Sequence, residues 1–401
     1  MLSRQSKIYY DGETMSENKQ EKCVNFYTNI IYFFVMVCLV VMRICSHYNL
    51  FSFLGSLGSF YVSLFAQIGI ILVLPLFILK VVTKSKTNEV MKFCCYKKVS
   101  YKIVIASVVL GAVVFFLNVY VSNFFNSIIA LFGYKHHTSS GDSATWWGFL
   151  LSVIGTAIVP AICEETLHRG MLMNGNSMTG MKKSIIISGV LFGLLHLNIE
   201  QFFYATLIGL FLGYLCWGCS SIWPCIIIHF MNNFLSVFFG FAADKGWAIG
   251  KLFDGISNYV ENNKVLGVFL FILLLSLLVY AAYELVKYLF RETFKYNFAG
   301  RQHELANMAI RETYLKSVED VKNGDQSADQ TPPIEFSGRI VDEKEFMNFV
   351  NENLETIIKN SMAEMEKEEK FKMDTRSKIF MWGSIALGII VTIMTFIWGL
   401  L

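Results

Sequence analysis

The sequence predicts an all-α fold, a polytopic membrane helix bundle, and its composition and long apolar runs are the observations behind this prediction. Hydrophobic residues make up 54% of the 401 residues, charged residues make up only 16%, and the mean hydropathy is +0.49. Soluble globular domains carry about 25% charged residues. The formal net charge of +3 is small, and no cluster of Lys and Arg is interleaved with aromatic residues, so nucleic acid is not an expected partner.

About nine apolar runs approach the roughly 20 residues that a helix needs to cross the hydrocarbon core of a lipid bilayer. The fifth run is short, and only a few residues around Asn198 separate it from the sixth. The predicted transmembrane helices lie near residues 26–45, 57–79, 103–132, 146–168, 184–199, 201–219, 222–241, 265–289 and 378–400.

The lysines are unevenly distributed between the loops, and this asymmetry predicts an orientation, because Lys and Arg accumulate on the cytoplasmic side. The loop after the second span contains Lys80, Lys84, Lys86, Lys92, Lys97, Lys98 and Lys102, and the loop after the fourth span contains Lys182 and Lys183. The loops after the first and third spans contain at most Lys135. The N-terminus is therefore expected in the cytoplasm, and Glu164 is expected at the inner end of the fourth span.

The composition changes once along the chain, and this change divides it into four parts. Residues 1–25 are expected to form a cytoplasmic tail and residues 26–289 a membrane-embedded bundle. Residues 290–377 are polar and charged, and they predict cytoplasmic helices near 302–323 and 342–373 around a flexible linker that contains Pro332 and Pro333. This segment is a candidate site for a protein partner. Residues 378–401 predict the C-terminal transmembrane helix.

Two adjacent carboxylates follow the uncharged run from Trp146 to Cys163, and they are the first candidate site residues. An ionisable residue at membrane depth is costly and is therefore a functional hypothesis by default. Glu165 and Arg169 are spaced i,i+4 and can pair on one helix face, which leaves Glu164 available. Pro160, four residues before Glu164, predicts a weakened helix ladder and a free carbonyl group near the site.

Three more polar side chains interrupt later apolar runs, namely His196, His229 and Asn233. His229 and Asn233 are spaced i,i+4, so both can point into the bundle from one helix. Peptide hydrolysis by water needs a base, a partner that orients it, and donors for the oxyanion. No H-E-x-x-H motif and no recognisable serine or cysteine nucleophile is present, which favours a water nucleophile.

These residues resemble the motif series of the CAAX protease and bacteriocin-processing family, also called the Abi or type II CAAX prenyl protease-like family of intramembrane endopeptidases. The resemblance covers roughly residues 100–290, and the three motifs occur in the family's order. They are Glu164-Glu165-x-x-x-Arg169, Phe192-x-x-x-His196 and His229-x-x-x-Asn233. The resemblance implies an eight-helix protease core, to which this chain adds a ninth span, and a catalytic cavity that faces the cytosol.

The resemblance also implies roles for the catalytic residues. Glu164 with His196 would activate water, while His229 and Asn233 would hold the oxyanion. Glu165 and Arg169 would support them. The expected partner is a membrane-associated peptide or protein substrate.

Other readings remain open at this point. The favoured mechanism needs no cofactor, but Glu164, His196 and His229 are also a plausible ligand set for a catalytic zinc ion. Cys216, Cys219 and Cys225 are an alternative metal site. The alternatives to a protease are a proton-coupled transporter, or a non-catalytic immunity or scaffold protein that binds a partner through residues 290–377.

Overall fold

The computed structural model describes residues 17–135, 145–251, 264–299 and 372–400, and in these ranges the regular structure is entirely helical. The helices are α1 (Glu17–His47), α2 (Gly58–Thr83), α3 (Thr87–Phe93), α4 (Tyr101–Leu131), α5 (Trp146–Thr179), α6 (Met181–Leu195), α7 (Ile199–Cys219), α8 (Trp223–Asp244), α9 (Lys264–Ala299) and α10 (Thr375–Leu400). Eight of them, all except α3 and α6, are long and apolar enough to cross a membrane. The predicted polytopic helix bundle is confirmed.

Local sequence signals determine where several helices begin and end. Ser100 and Thr145 cap α4 and α5, because each hydroxyl oxygen accepts a hydrogen bond from a backbone N–H in the first turn. The Asn198 side chain caps α7 in the same way. Lys84 and Ser220 end their helices in the left-handed conformation, with φ of 53° and 49°.

The fifth predicted span is the helix that departs most from a membrane-crossing length. It is α6, which has 15 residues and is about 22 Å long at 1.5 Å per residue. A tight turn at His196–Asn198 then reverses the chain into α7. The two helices pack closely, since a Cβ atom added at Gly209 would lie 2.8 Å from the Gly189 carbonyl oxygen. The absence of side chains at these two glycines allows the close approach.

The basic segments meet at one end of the bundle, which we call the basic end. Segment 84–102 packs there against the end of α5, where the Asn174 side chain donates to the Phe93 carbonyl oxygen. It also contacts the turn between α7 and α8, because Ser221 donates to the Lys97 carbonyl oxygen at 2.8 Å. Lys182 follows α5 at the same end. The opposite end, which we call the far end, contains the end of α1, the start of α2 and the His196–Asn198 turn.

The fourth predicted span is longer than the sequence indicated, and this changes the position of Glu164. Helix α5 continues to Thr179, so Glu164 lies near its middle and not at its inner end. The expectation of an inner-end position is wrong because residues 169–179 remain helical and buried after the charged motif. This buried stretch includes polar residues that find partners inside the bundle, such as Asn176 with Asn25.

The C-terminal helix α10 is part of the bundle. It packs against α1 and α6, where a Cβ atom added at Gly388 would lie 2.7 Å from the Leu194 Cβ atom. Arg376 lies over the Phe26 ring near the basic end. The cytoplasmic helices predicted near 302–323 and 342–373 lie outside the described residues, apart from 372–373. Helix α9 runs on to Ala299, ten residues beyond the predicted end of the eighth span.

Candidate active site

Pro160 determines the local geometry of α5 ahead of the acidic pair. Proline has no N–H to donate to the carbonyl group four residues earlier, which belongs to Thr156. The Asn233 side chain of α8 donates to this Thr156 carbonyl oxygen at 2.9 Å. The freed carbonyl group that the sequence predicts is therefore present, and Asn233 satisfies it. One amide hydrogen of Asn233 remains for another acceptor.

Glu164 is a buried carboxylate with one engaged and one unengaged oxygen. Its side chain is 6% exposed. The Gln67 amide of α2 donates to Oε1 at 2.8 Å, whereas Oε2 is buried and has no hydrogen-bond partner among the described residues. Buried polar atoms in proteins nearly always have a partner, so an unpartnered carboxylate oxygen indicates a place for a water molecule or a ligand.

Glu164 and His196 line one partly open cavity of about 240 Å³. Gln67, Gln201, Ser63 and Arg43 contribute polar side chains to it. Apolar contacts come from Leu39, Ala66, Ile71, Leu195 and Leu197. The cavity thus combines the carboxylate with the first of the three predicted polar outliers, His196, and it is large enough for several water molecules or a short stretch of peptide.

His196 is oriented by its own helix. Its Nδ1 atom lies 2.9 Å from the Phe192 carbonyl oxygen, which can only accept a hydrogen bond. Nδ1 therefore carries a hydrogen, and in a neutral ring Nε2 presents a lone pair. This tautomer suits an acceptor of a proton or of a water hydrogen.

A second acidic network lies beside the cavity. Glu165 is fully buried, and its Oε1 accepts from Arg169 Nη1 at 3.0 Å and from His229 Nδ1 at 2.8 Å. Arg169 is also fully buried, and its Nη2 donates to the Gly209 carbonyl oxygen of α7 at 2.9 Å. The predicted i,i+4 pair is present, and it joins α5, α7 and α8.

The same network limits what His229 can do. Its Nδ1 donates to a carboxylate, so Nε2 of the neutral ring is an acceptor. Donation to an oxyanion from Nε2 requires a second proton on the ring.

Phe192 connects the two polar groups. Its ring lies edge-to-face against His196, His229 and His168, with centroid distances of 5.2, 5.7 and 5.0 Å. The Arg169 guanidinium lies 4.4 Å from the centroid of the same ring. Phe192 is 3% exposed, so it forms an apolar wall between His196 in the cavity and His229 in the buried network.

His168 links α5 to α1 behind the site. Its Nδ1 lies 2.8 Å from the Glu164 backbone carbonyl oxygen, and its Nε2 lies 3.1 Å from the Tyr32 hydroxyl. Tyr32 in turn donates to the Leu191 carbonyl oxygen at 2.9 Å. These bonds fix the backbone of Glu164 relative to α1 and α6, which is a positioning role.

The structure therefore brings some predicted site residues together and separates others. Glu164 and His196 share the cavity, while His229 and Asn233 lie outside its lining. Sequence reasoning did not assign Gln67 or Arg43 to the cavity. Gln67 could have been found as a single amide within the apolar run 57–79.

The residues proposed as zinc ligands do not converge in the described part of the chain. There, no group of three or more His, Cys, Asp or Glu side chains is arranged to hold a metal ion. The ring of His229 points Nδ1 at Glu165, and Phe192 stands between it and His196. The cysteines Cys216, Cys219 and Cys225 are all buried with free thiols.

The cavity lies closer to the far end than to the basic end. Its lining comes from the last turns of α1, the first half of α2 and the His196 turn. The resemblance to the CAAX protease family implies a cytosol-facing cavity, whereas the lysines gather at the other end of the bundle.

Comparison with known proteins supports one assignment. Residues 146–235 match a protein-family model described as Type II CAAX prenyl endopeptidase Rce1-like. The matched segment runs from the start of α5 into α8 and contains Glu164, Glu165, Arg169, His196, His229 and Asn233. For this segment, the match confirms the resemblance that the sequence motifs indicate. No curated protein and no solved structure matches the chain.

Proposed function

We propose that this chain, which carries a type II CAAX prenyl endopeptidase Rce1-like domain at residues 146–235, is an intramembrane endopeptidase that hydrolyses a peptide bond of a membrane-associated peptide or protein. One observation carries the proposal. Glu164, with an unpartnered carboxylate oxygen, and His196, with a free ring nitrogen, line the same cavity between membrane-length helices.

The proposed reaction begins with a water molecule at Glu164 Oε2. As the water oxygen bonds to the peptide carbonyl carbon, its proton passes to Glu164 and the carbonyl oxygen becomes an oxyanion. When the C–N bond breaks, Glu164 returns the proton to the leaving amine. His196 Nε2 accepts the second water hydrogen, and Gln67 holds Oε1 so that Oε2 faces the cavity. Such general base catalysis contributes roughly 10²–10⁴-fold.

His229 and Asn233 are the proposed oxyanion donors, with Glu165 and Arg169 in support. Donation from His229 Nε2 requires a second proton on the ring, whose Nδ1 lies 2.8 Å from Glu165 Oε1. Asn233 would use the amide hydrogen that is not bonded to Thr156. Because neither residue lines the cavity, substrate binding has to move the peptide carbonyl group, or the Phe192 wall, toward them.

We favour a mechanism without a metal, because His229 is engaged with Glu165 and three ligands do not converge in the described residues. The zinc alternative is tested by incubation of the purified protein with a chelator. Cleavage that persists in the chelator supports the metal-free mechanism. Complete loss of cleavage, restored by zinc alone, would refute it.

We also propose that the basic end faces the cytoplasm, together with the N-terminus and segment 290–377. The lysines of segment 84–102 support this orientation. Residues 290–377 would bind a protein partner or present the substrate. Reporter fusions at the two termini would test the orientation, and an exported N-terminus would contradict it.

Active-site variants in detergent micelles provide the test of the proposed function. Cleavage of a library of membrane-anchored peptides is measured for the wild type and for Glu164→Gln, His196→Ala and His229→Ala. Each variant should lose at least about 100-fold in rate at unchanged monodispersity. The control is Glu284→Gln, which changes a carboxylate that is 42% exposed on α9 and should retain full activity. Full cleavage by Glu164→Gln would refute the assignment of the base.

A hydrogen-bonded series of amides favours a second candidate, the proton-coupled transporter. Asn118 donates to Asn232 at 3.2 Å, and Asn232 donates to Asn233 at 3.0 Å, so a polar path extends between α4, α8 and α5. Amide side chains do not titrate, however, and so they cannot relay protons by themselves. Proton flux into liposomes that survives Glu164→Ala, in a protein that cleaves no peptide, would favour transport.

A further inference from the structure

We propose that α10 positions His196 for the proposed cleavage reaction, and that it acts through the hydroxyl group of Thr395, which binds the chain directly after the His196 turn. This inference rests on the proposed peptidase function and adds a positioning residue to it. Helix α10 lies outside residues 146–235, the segment that matches the endopeptidase family model. Thr395 would contact neither the substrate nor the attacking water.

The hydrogen bond between Thr395 and Ile199 is the first support. Ile199 is the first residue of α7, and the first N–H groups of an α-helix have no acceptor within that helix. The Asn198 side chain accepts from the N–H of Glu200. The N–H of Ile199 instead donates to Thr395 Oγ1 at 3.2 Å. A side chain from α10 therefore completes the start of α7, just after His196.

The Thr395 hydroxyl is held in the orientation that this bond requires. It donates its hydrogen to the Thr392 carbonyl oxygen, in the preceding turn of α10, at 2.7 Å. Threonine hydroxyls in helices commonly bond to a carbonyl group of the preceding turn, and this bond restricts the side-chain rotamer. A hydroxyl group also has two acceptor lone pairs, so one of them remains for Ile199.

Helix α10 also contacts the chain before His196. A Cβ atom added at Gly388 would lie 2.7 Å from the Leu194 Cβ atom, so the backbone of α10 packs directly against the last turn of α6. The apolar cluster that contains Leu194 and Leu197 includes three side chains of α10, namely Ile385, Leu387 and Val391. The helix thus holds the chain on both sides of His196.

The backbone conformation of the turn shows why such support matters. Leu197, directly after His196, has a φ of 49°, in the left-handed region that favours glycine. For other residues this conformation is strained, and it persists where the surrounding structure determines it. Leu197 is buried and lines the cavity together with His196. A turn that relaxed to an ordinary conformation would move His196 relative to Glu164.

The end of α10 is itself anchored to a third part of the bundle. The N–H of Lys135, which follows α4, donates to the Gly399 carbonyl oxygen at 2.8 Å. The rings of Tyr134 and Phe396 are stacked, with their centroids 5.8 Å apart. Thr395 therefore lies on a stretch of α10 that is fixed independently of the turn, which allows it to determine the position of the turn.

Hydrogen exchange at the Ile199 amide tests the contact without any need for cleavage. Thr395→Val removes the acceptor at nearly unchanged volume, so this amide should exchange about fivefold faster or more than in the wild type. Thr395→Ser keeps a hydroxyl group and should restore slow exchange. The matched control is Thr392→Val, because the Thr392 hydroxyl has no partner among the described residues. Unchanged exchange at Ile199 in Thr395→Val would overturn the proposal.

Cleavage kinetics test the consequence for His196. Thr395→Val should lower kcat at least about tenfold and leave KM within about twofold, because it displaces a catalytic side chain and removes no substrate contact. Thr395→Ser should recover most of the wild-type kcat, and Thr392→Val should match the wild type. An unchanged kcat in Thr395→Val would overturn the proposal, and so would an equal loss in Thr392→Val.

A double variant separates an effect through His196 from a general loosening of the bundle. The residual cleavage rate of His196→Ala is measured at high enzyme concentration, with and without Thr395→Val. If Thr395 acts through His196, the second change should lower this residual rate by less than about twofold. A further loss as large as that in the wild-type background would mean that Thr395 acts elsewhere, and it would overturn the proposal.

The two measurements also distinguish this inference from the proposed function. Exchange is measured in Glu164→Gln as well as in the wild type. Faster exchange with an unchanged kcat, in a protein whose cleavage depends on Glu164, refutes only the positioning role of Thr395. The same exchange effect in a protein whose cleavage does not depend on Glu164 refutes only the peptidase mechanism.

Discussion

The buried pair of Glu165 and Arg169 gives the strongest stability prediction, and its perturbation is Arg169→Met. This variant leaves the Glu165 carboxylate without its cation in a fully buried position, although His229 still donates to it at 2.8 Å. Removal of one partner from a buried ion pair costs about 3–5 kcal/mol. The remaining donor favours the lower part of this range, so we expect a loss of about 3 kcal/mol in the free energy of unfolding.

A double-mutant cycle tests whether the loss comes from the uncompensated charge. Glu165→Gln combined with Arg169→Met removes both charges, and it should be more stable than Arg169→Met alone by at least about 1 kcal/mol. Thermal unfolding in detergent, followed by tryptophan fluorescence, measures the effect. At about 2 °C per kcal/mol, the single variant should lose roughly 6 °C.

The matched control is the pair of Glu284 and Lys287 on α9, whose charged atoms are 3.6 Å apart and whose side chains are 42% and 20% exposed. Because neither side chain of this i,i+3 pair is fully buried, Glu284→Gln should cost less than about 1 kcal/mol. The reasoning fails if Arg169→Met unfolds within about 2 °C of this control. It also fails if the double variant is no more stable than the single one.

Two further predictions concern neighbouring contacts. Gln67→Leu removes the donor to Glu164 Oε1 at nearly the same side-chain volume, and a hydrogen bond to a charged group contributes about 1.5–3 kcal/mol. We expect kcat to fall roughly 10–100-fold with little change in KM, and an unchanged kcat would contradict the positioning role. Gly209→Ala places a methyl group against Gly189 and should cost about 1–3 kcal/mol in unfolding experiments. Gly240→Ala, where the added atom meets open space, should be neutral or slightly stabilising; equal effects at the two glycines would refute the packing argument.

Hydrophobicity and i,i+4 spacing were sufficient to predict most of the fold and part of the site. Spans of about 20 apolar residues are recognised by their length. Glu165 and Arg169 form the ion pair that their i,i+4 spacing on one helix face predicts. The length of α5 could not be predicted in the same way. Its last turns contain polar residues such as Asn174 and Asn176. These side chains are compatible with a helix inside the bundle only because they have buried partners on α1 and segment 84–102.

The cavity could not be predicted from the sequence, because its lining depends on how different helices are rotated relative to one another. Gln67 and Arg43 face Glu164 from two other helices, and no local pattern fixes that rotation. The same limit applies to Phe192. It belongs to a recognised motif, but its position between His196 and His229 follows from the packing of α6 against α5 and α8.

Pro160 carries the last prediction, which separates stability from activity. Pro160→Ala restores the backbone N–H that an α-helix directs to the Thr156 carbonyl group. This N–H would compete with the Asn233 side chain for the Thr156 carbonyl oxygen. With this backbone hydrogen bond added, the variant should be at least as stable as the wild type. It should nevertheless displace Glu164, one turn further along, from the cavity, and a shift of about 1 Å can cost roughly 100-fold in rate. We therefore expect an unchanged or higher unfolding temperature together with a cleavage rate at least about tenfold lower. Full activity in Pro160→Ala would mean that Pro160 has no part in positioning the carboxylate of Glu164. A strongly destabilised variant would mean that the hydrogen bond from Asn233 to Thr156 contributes chiefly to packing.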